Sequence, residues 1–394
     1  MGSQEQPKTV VHFSRRKTIL FQVTISLLSL LVIEIGLRVG GFEYHNIPRY
    51  VQFAHDKYMN QGRSEGHYDL VPDTQLFWRL APNNPRLLTN AHGYRGDDFV
   101  DRKSPGTIRI ITLGCSCTFG IASAYSYAMA LQQLLNRNEA GKRYEVINAG
   151  VPGYSSFQGV KVLESELVEY RPDIVTVFFG WNDHWLAKYF QDKDQKTPSR
   201  TAQFLLDHAS RLRLIQALER LSASIHGLGR KHGTSEMYRV SPQDYRLNLE
   251  RIIDDAETCG SKVALVTAPT AFSQPSDVPD YLVEDGFIAD KATLFRIHRE
   301  YNDIVREVAR SKSVLQIDCA AGFDASPKKK ALFGEDGIHP NEAGHWLIAL
   351  KVFRGFLRQG WIDRGDYGDL EDDANTGPGS EHGQARTPGQ RPKN

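Results

Sequence analysis

Cysteine is scarce in this sequence, and neither sign of charge is in clear excess. Four cysteines (Cys115, Cys117, Cys259 and Cys319) stand among 394 residues, none in C-x-x-C spacing. This excludes a disulfide-stapled scaffold and a structural zinc site of paired cysteines, but it does not settle the redox compartment. Lysine and arginine total 48 against 47 acidic residues, so the whole-chain charge gives no indication of nucleic-acid binding. Function has to be read from local sites.

Long uncharged runs are also few, and the one near the N-terminus is informative. Residues 18–33 carry no charged side chain, and twenty helical residues rise about 30 Å, one hydrocarbon thickness. Because four basic residues precede this run (Lys8, Arg15, Arg16 and Lys17), we expect residues 1–17 to be cytoplasmic and residues 18–37 to be a single transmembrane anchor. The rest would then be periplasmic or extracellular. A cleaved signal peptide and a buried soluble helix remain alternatives.

The remainder of the chain indicates one α/β domain. Residues 38–105, rich in proline, asparagine, tyrosine and glycine, are expected to form an irregular approach segment, and residues 365–394 a disordered tail. Between them, five β-branched runs alternate with stretches of helical periodicity. The runs are 108–113, 144–148, 174–179, 263–267 and 314–317, and the helical stretches are 124–138, 156–169, 241–258, 290–311 and 341–358. This alternation predicts a three-layer, flavodoxin-like parallel sheet within residues 106–364.

The connection between the third and fourth predicted strands is too long for a simple crossover. We expect a helical insertion at about residues 185–240, with a helix near 200–225 that packs on the body or shapes a cleft wall. Its apolar residues at helical spacing are Phe204, Leu205, Leu212, Ile215, Leu218 and Leu221.

The stretch GCSCTFG, residues 114–120, directly follows the first predicted strand. It is not a P-loop, because Ile121 stands where the lysine should follow, and it is not a G-x-S-x-G elbow, because Thr118 replaces the second glycine. Gly114 permits a sharp turn that would present Ser116 near a helix N-terminus, where its hydroxyl could attack a carbonyl. Alternatively, Ser116 and Thr118 only satisfy turn and helix-start amides.

Three further polar blocks are present. NAGVPG at residues 148–153 follows the second predicted strand, GWND at residues 180–183 follows the third, and DGIHPN at residues 336–341 lies near the C-terminus. Together with the serine turn they resemble, in order, the four blocks of the SGNH (GDSL-type) hydrolases. The resemblance covers about residues 86–358, and its last two blocks are specific, whereas the glycine block alone is weak. NAHGYRG at residues 90–96 looks like a segment found in membrane-anchored bacterial members of that family.

The resemblance implies a role for each matching residue. Ser116 would be the nucleophile, His339 the general base and then acid, and Asp336 the carboxylate that orients the imidazole. The backbone N–H groups of Ser116 and Gly150 and the side-chain amide of Asn182 would form the oxyanion hole. Taken singly, each has a plainer alternative: Gly150 as a turn, Asn182 with Asp183 as a helix cap, His339 as a surface turn residue.

Other residues near these blocks have structural interpretations. Cys115 replaces the aspartate that usually precedes the nucleophile in this family, which could weaken the turn without removing a reacting group. We expect Cys115 and Cys117 to be small buried packing residues rather than a redox or nucleophilic pair, and Arg95 to form a structural ion pair rather than to line the cleft. His92, His184 and His345 lack metal-ligand spacing. Trp181 and Trp185 suit a sugar-stacking wall and core packing equally well.

These observations predict a membrane-anchored serine esterase that needs no cofactor and no metal. Its substrate would be a small-molecule, glycan or lipid-linked ester from which it removes an acyl group. An O-acyltransferase with the same triad and a catalytically silent glycan-binding module are the alternatives. The acyl group, the alcohol, the oligomeric state and cleavage of the N-terminal segment are left open by the sequence.

Overall fold

The structure, a computed structural model, describes residues 14–44 and 69–363, apart from 74, 122, 138–141, 188–189, 196–198, 210 and 229–236. It divides into two compact units. The helical unit comprises residues 1–48 and 198–231, and the sheet unit comprises residues 49–197 and 232–394. The predicted tail and most of the predicted cytoplasmic segment lie outside the described residues.

The elements are numbered along the chain. The strands are β1 (Leu70–Asp73), β2 (Phe77–Leu80), β3 (Thr107–Gly114), β4 (Arg143–Gly150), β5 (Ile174–Phe178), β6 (Lys262–Val266) and β7 (Leu315–Ile317). The helices are α1 (Arg15–Val39), α2 (Ser116–Phe119), α3 (Tyr127–Leu135), α4 (Ser156–Ser165), α5 (Arg200–Ala209), α6 (Arg213–Leu228), α7 (Pro242–Thr258), α8 (Tyr281–Glu284), α9 (Lys291–Ser311), α10 (Cys319–Asp324) and α11 (Glu342–Arg358).

The sheet unit is built around a five-stranded parallel sheet of order β4-β3-β5-β6-β7. This confirms the flavodoxin-like arrangement, and the observed strands lie within two residues of the predicted runs. The central strands are apolar along their length because helices cover both faces, and all five residues of β5 are buried. Gly114 at the end of β3 pairs with Gly150 of β4 and with Phe178 of β5. The loops that follow these three strands therefore begin side by side at one edge of the sheet.

The approach segment is less irregular than expected. β1 and β2 form an antiparallel hairpin, and residues 45–68 lie outside the described part. The hairpin contains only four-residue strands and a Phe77 with a φ of 69°. Strands this short do not show a recognisable alternation of apolar residues, which is why the sequence pattern missed them.

The helical unit contains α1, α5 and α6. α1 is long and apolar enough to cross a membrane, although a signal sequence would meet the same criterion. Two helices replace the single one expected near residues 200–225. Of the six apolar residues that the sequence analysis names for this region, five are 45–62% exposed. They are Phe204, Leu205, Leu212, Leu218 and Leu221.

Candidate active site

The serine turn is shaped by a glycine that no other residue can replace. A Cβ on Gly114 would lie 2.1 Å from Thr118 Oγ1 and 2.5 Å from the carbonyl oxygen of Phe178. Only glycine therefore fits at position 114, where the chain passes from β3 into α2. α2 begins at Ser116 and ends at Gly120, whose φ of 89° is left-handed. The turn thus places the Ser116 hydroxyl at the edge of the sheet, at the first position of a helix.

The structure brings Ser116, His339 and Asp336 together, although they come from opposite ends of the sheet unit. His339 Nε2 lies 2.8 Å from Ser116 Oγ, and His339 Nδ1 lies 2.5 Å from Asp336 Oδ2. Because the carboxylate accepts the proton on Nδ1, Nε2 is left to accept a proton from the serine hydroxyl. All three side chains are at least partly buried. The arrangement is that of an activated hydroxyl nucleophile.

Asp336 shapes the turn that carries the histidine. Its Oδ1 accepts hydrogen bonds from the backbone N–H groups of Ile338 and His339, at 2.8 and 2.9 Å. Burial opposes ionisation of Asp336, but these bonds and the one from the His339 ring outweigh it and hold the pKa of the carboxyl below its usual value. Asp336 is therefore a carboxylate at neutral pH, able to stabilise the charged imidazolium that forms when His339 takes up a proton.

Two of the three predicted oxyanion donors keep an N–H for which no acceptor is found among the described residues. The N–H of Ser116 is at the first helical position, where no intrahelical acceptor exists. Asn182 is buried and donates from Nδ2 to the carbonyl of Tyr154 at 2.9 Å. An amide nitrogen carries two hydrogens, and among the described residues no acceptor is found for the second. Both groups can thus donate to a substrate oxygen.

Gly150 does not fit the third role, which is a correction to the sequence analysis. Its N–H already donates to Asn148 Oδ1 at 3.0 Å. A Cβ at this position would lie 2.3 Å from the backbone nitrogen of Phe119, so the glycine is needed for close packing of β4 against α2. Gly153, with a φ of 83°, has an N–H for which no acceptor is found in the described part of the chain. It belongs to the same sequence block as Gly150 and precedes Tyr154, whose carbonyl accepts from Asn182.

Arg95 forms a clamp on the serine turn rather than the expected ion pair. Its guanidinium is buried and donates to four backbone carbonyls that follow α2: Phe119, Gly120, Ser123 and Ala124, at 2.6–3.1 Å. It also lies over the Phe119 ring. Among the described residues no carboxylate pairs with it, and burial lowers its pKa. A cation beyond the last turn of a helix is favoured by the helix dipole, so Arg95 fixes the end of α2 opposite to Ser116.

We expect Arg95→Met to lower the free energy of unfolding by about 3 kcal/mol, since four buried carbonyls lose their donor while the apolar stem is kept. Arg95→Lys should recover only part of this, because one ammonium group cannot reach four carbonyls. Urea denaturation followed by tryptophan fluorescence suits the test, because all five tryptophans lie in the sheet unit. A change of less than about 0.5 kcal/mol in the free energy of unfolding of Arg95→Met would show that these hydrogen bonds do not stabilise the fold.

The cysteines beside Ser116 are buried, as predicted. Cys115 makes no side-chain capping bond at the start of α2, but its carbonyl accepts from the N–H groups of Thr118 and Phe119. Cys117 Sγ lies 3.7 Å from the carbonyl oxygen of Ile338, next to the histidine. Backbone bonds therefore hold the turn in which the family's aspartate is replaced by Cys115.

Asp183 secures the loop that carries Asn182. One carboxylate oxygen accepts from the N–H of Ser156 at 2.8 Å, and the other accepts from the N–H of Gly180 at 3.0 Å. Complete burial raises its pKa to about 6 in spite of these donors. Asp183 thus connects the start of α4 with the loop after β5 and acts as a structural partner of Asn182.

Trp181 and Trp185 belong to the core, being only 2% and 4% exposed. Trp181 packs on His298, whose Nδ1 lies 3.0 Å from His184 Nε2. His298 Nε2 lies 2.9 Å from the carbonyl of Ala268, so Nε2 carries the proton and Nδ1 accepts one from His184. Burial lowers the pKa of both histidines, that of His298 to about 4. The pair is thus neutral and structural.

This pair makes the sheet unit sensitive to acid. In the unfolded chain His298 takes up a proton near its ordinary pKa of 6.5, whereas in the folded chain it does so only near 4. Stability is therefore complete above 6.5 and is lost as the pH falls toward 4, by about 3 kcal/mol for this group. We expect His298→Gln to be less stable at neutral pH but to lose about 3 kcal/mol less than the wild type between pH 7 and pH 4. Equal losses in urea denaturation would contradict the assignment.

No described group of three His, Cys, Asp or Glu side chains lies close enough together to hold a metal ion. The other two histidines near the sequence blocks have protein partners. His92 Nε2 lies 2.8 Å from Asp101, and His345 Nδ1 accepts from the N–H of Tyr127 at 3.2 Å. Burial lowers the pKa of His345 to about 3, so this ring is neutral.

Comparison with known proteins identifies a family for this chain. Residues 111–347 match the sequence model of the GDSL-like lipase/acylhydrolase family, and no curated protein matches the chain. Among solved structures, a lipase/acylhydrolase from Enterococcus faecalis is 19% identical with a TM-score of 0.42, over 65% of this chain and 97% of that one. An acetylxylan esterase from Geobacillus stearothermophilus is 16% identical with a TM-score of 0.40, over 64% and 93%. At these identities and scores, the similarity carries no information about the substrate.

Proposed function

This ester-hydrolysing enzyme belongs to the GDSL-like lipase/acylhydrolase family, and we propose that it cleaves its substrate through an acyl-enzyme on Ser116. The observation that carries the proposal is the continuous line of hydrogen bonds from Ser116 Oγ through the His339 ring to Asp336. A serine hydroxyl is a weak nucleophile until a positioned base removes its proton. His339 is positioned to be that base, and Asp336 is the carboxylate that orients it.

The reaction proceeds in two halves. Ser116 Oγ attacks the ester carbonyl carbon while His339 Nε2 takes the hydroxyl proton, and the same proton then passes to the leaving alcohol. Water attacks the acyl-serine in the second half and gives a proton to His339, which passes it to Ser116 Oγ as the bond to the acyl group breaks and the acid leaves. Asp336 remains a carboxylate throughout and stabilises the imidazolium.

We propose the N–H groups of Ser116 and Gly153 and the side chain of Asn182 as the oxyanion hole. Among the described residues, no acceptor is found for the two backbone N–H groups or for the second hydrogen of the Asn182 amide. The bond from Asn182 to the carbonyl of Tyr154 keeps the amide beside Gly153. Donors fixed in advance stabilise the negative oxygen of the tetrahedral intermediate without reorganisation.

The substrate that fits best with the rest of the chain is an acyl ester of a glycan or a lipid-linked molecule. α1 supports this part of the proposal, because an enzyme held in a membrane by an uncleaved N-terminal helix acts on molecules at that surface. The basic residues before the uncharged run of residues 18–33 support an orientation with the N-terminus in the cytoplasm and the sheet unit in the periplasm or outside the cell.

A single assay tests this function. The full chain in detergent micelles is given a series of p-nitrophenyl esters of increasing acyl length, with and without a sugar acceptor. Hydrolysis to the free acid that does not change with the acceptor supports an esterase, whereas acyl-sugar formation at the expense of the acid would instead assign an acyltransferase. Activity equal to that of Ser116→Ala would overturn the proposal.

A further inference from the structure

We infer that α5 and α6 lie in the lipid interface of the membrane that α1 crosses, with their exposed apolar side chains among the acyl chains. The inference rests on the proposed anchoring by α1. In the structure these two helices and the turn between them expose five large apolar side chains by 45–62%: Phe204, Leu205, Leu212, Leu218 and Leu221. Full burial of one such side chain is worth about 1.5–3 kcal/mol, so exposing five to water would be costly.

α6 begins directly against the last turns of α1. Glu34 of α1 accepts hydrogen bonds from the backbone N–H groups of Arg213 and Leu214, at 3.1 and 2.8 Å. These N–H groups start α6 and have no acceptor within the helix, so a carboxylate there both satisfies them and complements the helix dipole. Arg38 pairs with Glu34 at 2.7 Å and donates to the carbonyl of Arg211 at 3.1 Å. Three polar contacts thus join α1 to the start of α6, and the Arg38–Glu34 pair orients the two side chains that make them.

The chain that leaves α1 continues alongside α6. The N–H of Tyr44 donates to Gln216 Oε1 at 3.1 Å, and Arg213 pairs with Glu43 at 3.1 Å. One turn further on, the Arg220 guanidinium lies over the Phe42 ring. α6 is therefore held along one side, and the side that carries Leu218 and Leu221 is exposed among the described residues.

The position of Glu34 sets the depth of this junction. Residues 18–33 carry no charge, and Glu34 is the first charged residue after them. A charged side chain at the end of an apolar span lies near the boundary between hydrocarbon and water. Since α6 starts on Glu34, its first turns lie at that boundary, where an apolar helix face enters lipid.

The composition of the two helices suits a membrane surface. Leu214, Leu218 and Leu221 are spaced by four and three residues and so share one face of α6. Residues 200–228 contain four arginines (Arg200, Arg211, Arg213 and Arg220) against two acidic residues (Asp207 and Glu219). Such an excess of positive charge beside an apolar face favours contact with anionic lipid headgroups.

Lipid contact can be measured on the full chain. A Cys259→Ser background removes the exposed native thiol, and an NBD fluorophore is attached to a new cysteine in Leu218→Cys or Phe204→Cys. Leu247→Cys in α7, 53% exposed in the sheet unit, is the matched control, and Leu28→Cys reports on α1. The protein is reconstituted at about one copy per vesicle, in roughly three parts phosphatidylethanolamine to one part phosphatidylglycerol.

Lipids spin-labelled near the top of the acyl chain should quench the fluorophore at positions 204 and 218 by about twofold or more, and the one at 247 hardly at all. Position 28 lies near the middle of the proposed span, so lipids spin-labelled near the methyl end of the acyl chain should quench the fluorophore there. Quenching at 28 without quenching at 204 and 218 overturns the inference and leaves the anchor intact. No quenching at 28 refutes the proposed anchoring and the inference with it. Blue-shifted emission at 218 without lipid quenching means that a protein surface covers this face, and it also overturns the inference.

Discussion

Ser116→Ala is expected to lower kcat/KM for a short acyl ester by about 10⁵-fold, because no other described hydroxyl forms a hydrogen bond with His339 Nε2. The substitution removes one oxygen atom and keeps a good helix former at the start of α2, so we expect the fold to be unchanged by circular dichroism. The exposed Ser165 of α4 offers a matched control. Ser165→Ala should be as active as the wild type.

His339→Ala should lower kcat/KM by a similar factor, since the serine and its base act as one unit. The Ser116→Ala/His339→Ala double variant should therefore be no slower than either single variant, within a few fold. Steady-state kinetics of the four proteins make up a double-mutant cycle. Losses that multiply in the double variant would contradict direct cooperation between these two side chains.

Asn182→Ala is expected to lower kcat by about 10²–10³-fold, because one oxyanion donor is removed. KM should change little, since the charge that this amide stabilises develops only after attack. Stopped assays over a range of ester concentrations separate the two parameters.

The alternative to a donor role is a purely structural one, since Asn182 also holds the carbonyl of Tyr154. Asp183→Asn tests this possibility, because it removes one acceptor from the same loop and leaves the donor in place. We expect it to lower stability more than Asn182→Ala does and to reduce kcat less. The reverse order would mean that Asn182 acts through the loop and not on the oxyanion.

The sheet was predictable because its signals are local and strong. Each of the five strands is a short β-branched run between turn residues, and a parallel sheet covered on both faces leaves few possible strand orders. The same logic indicates the serine and asparagine blocks, since residues at the carboxyl ends of parallel strands meet at one edge. The pairing of Gly114 with Gly150 and Phe178 brings those strand ends side by side, whereas the histidine block lies well beyond the last strand and was indicated only by the family resemblance.

The details that sequence could not supply depend on distant parts of the chain. Gly150 and Gly153 are equivalent in the sequence block, and only the backbone of α2 shows that the first is required for packing. The partners of Arg95 are backbone carbonyls. Every residue has one, so the sequence does not indicate which of them the guanidinium binds. The contact of Glu34 with α6 joins residues almost 180 positions apart, and no periodicity within either helix predicts it.

Reaction of the full chain with a fluorophosphonate, followed by peptide mapping, is the most direct test of the site. Such a reagent forms a stable bond only with a serine whose hydroxyl is activated by a neighbouring base. We predict one adduct, on the peptide that contains Ser116, with labelling abolished in Ser116→Ala and at least about 10²-fold slower in His339→Ala. Labelling that persists in Ser116→Ala, or that proceeds at the wild-type rate in His339→Ala, would show that these two side chains do not form the reacting pair.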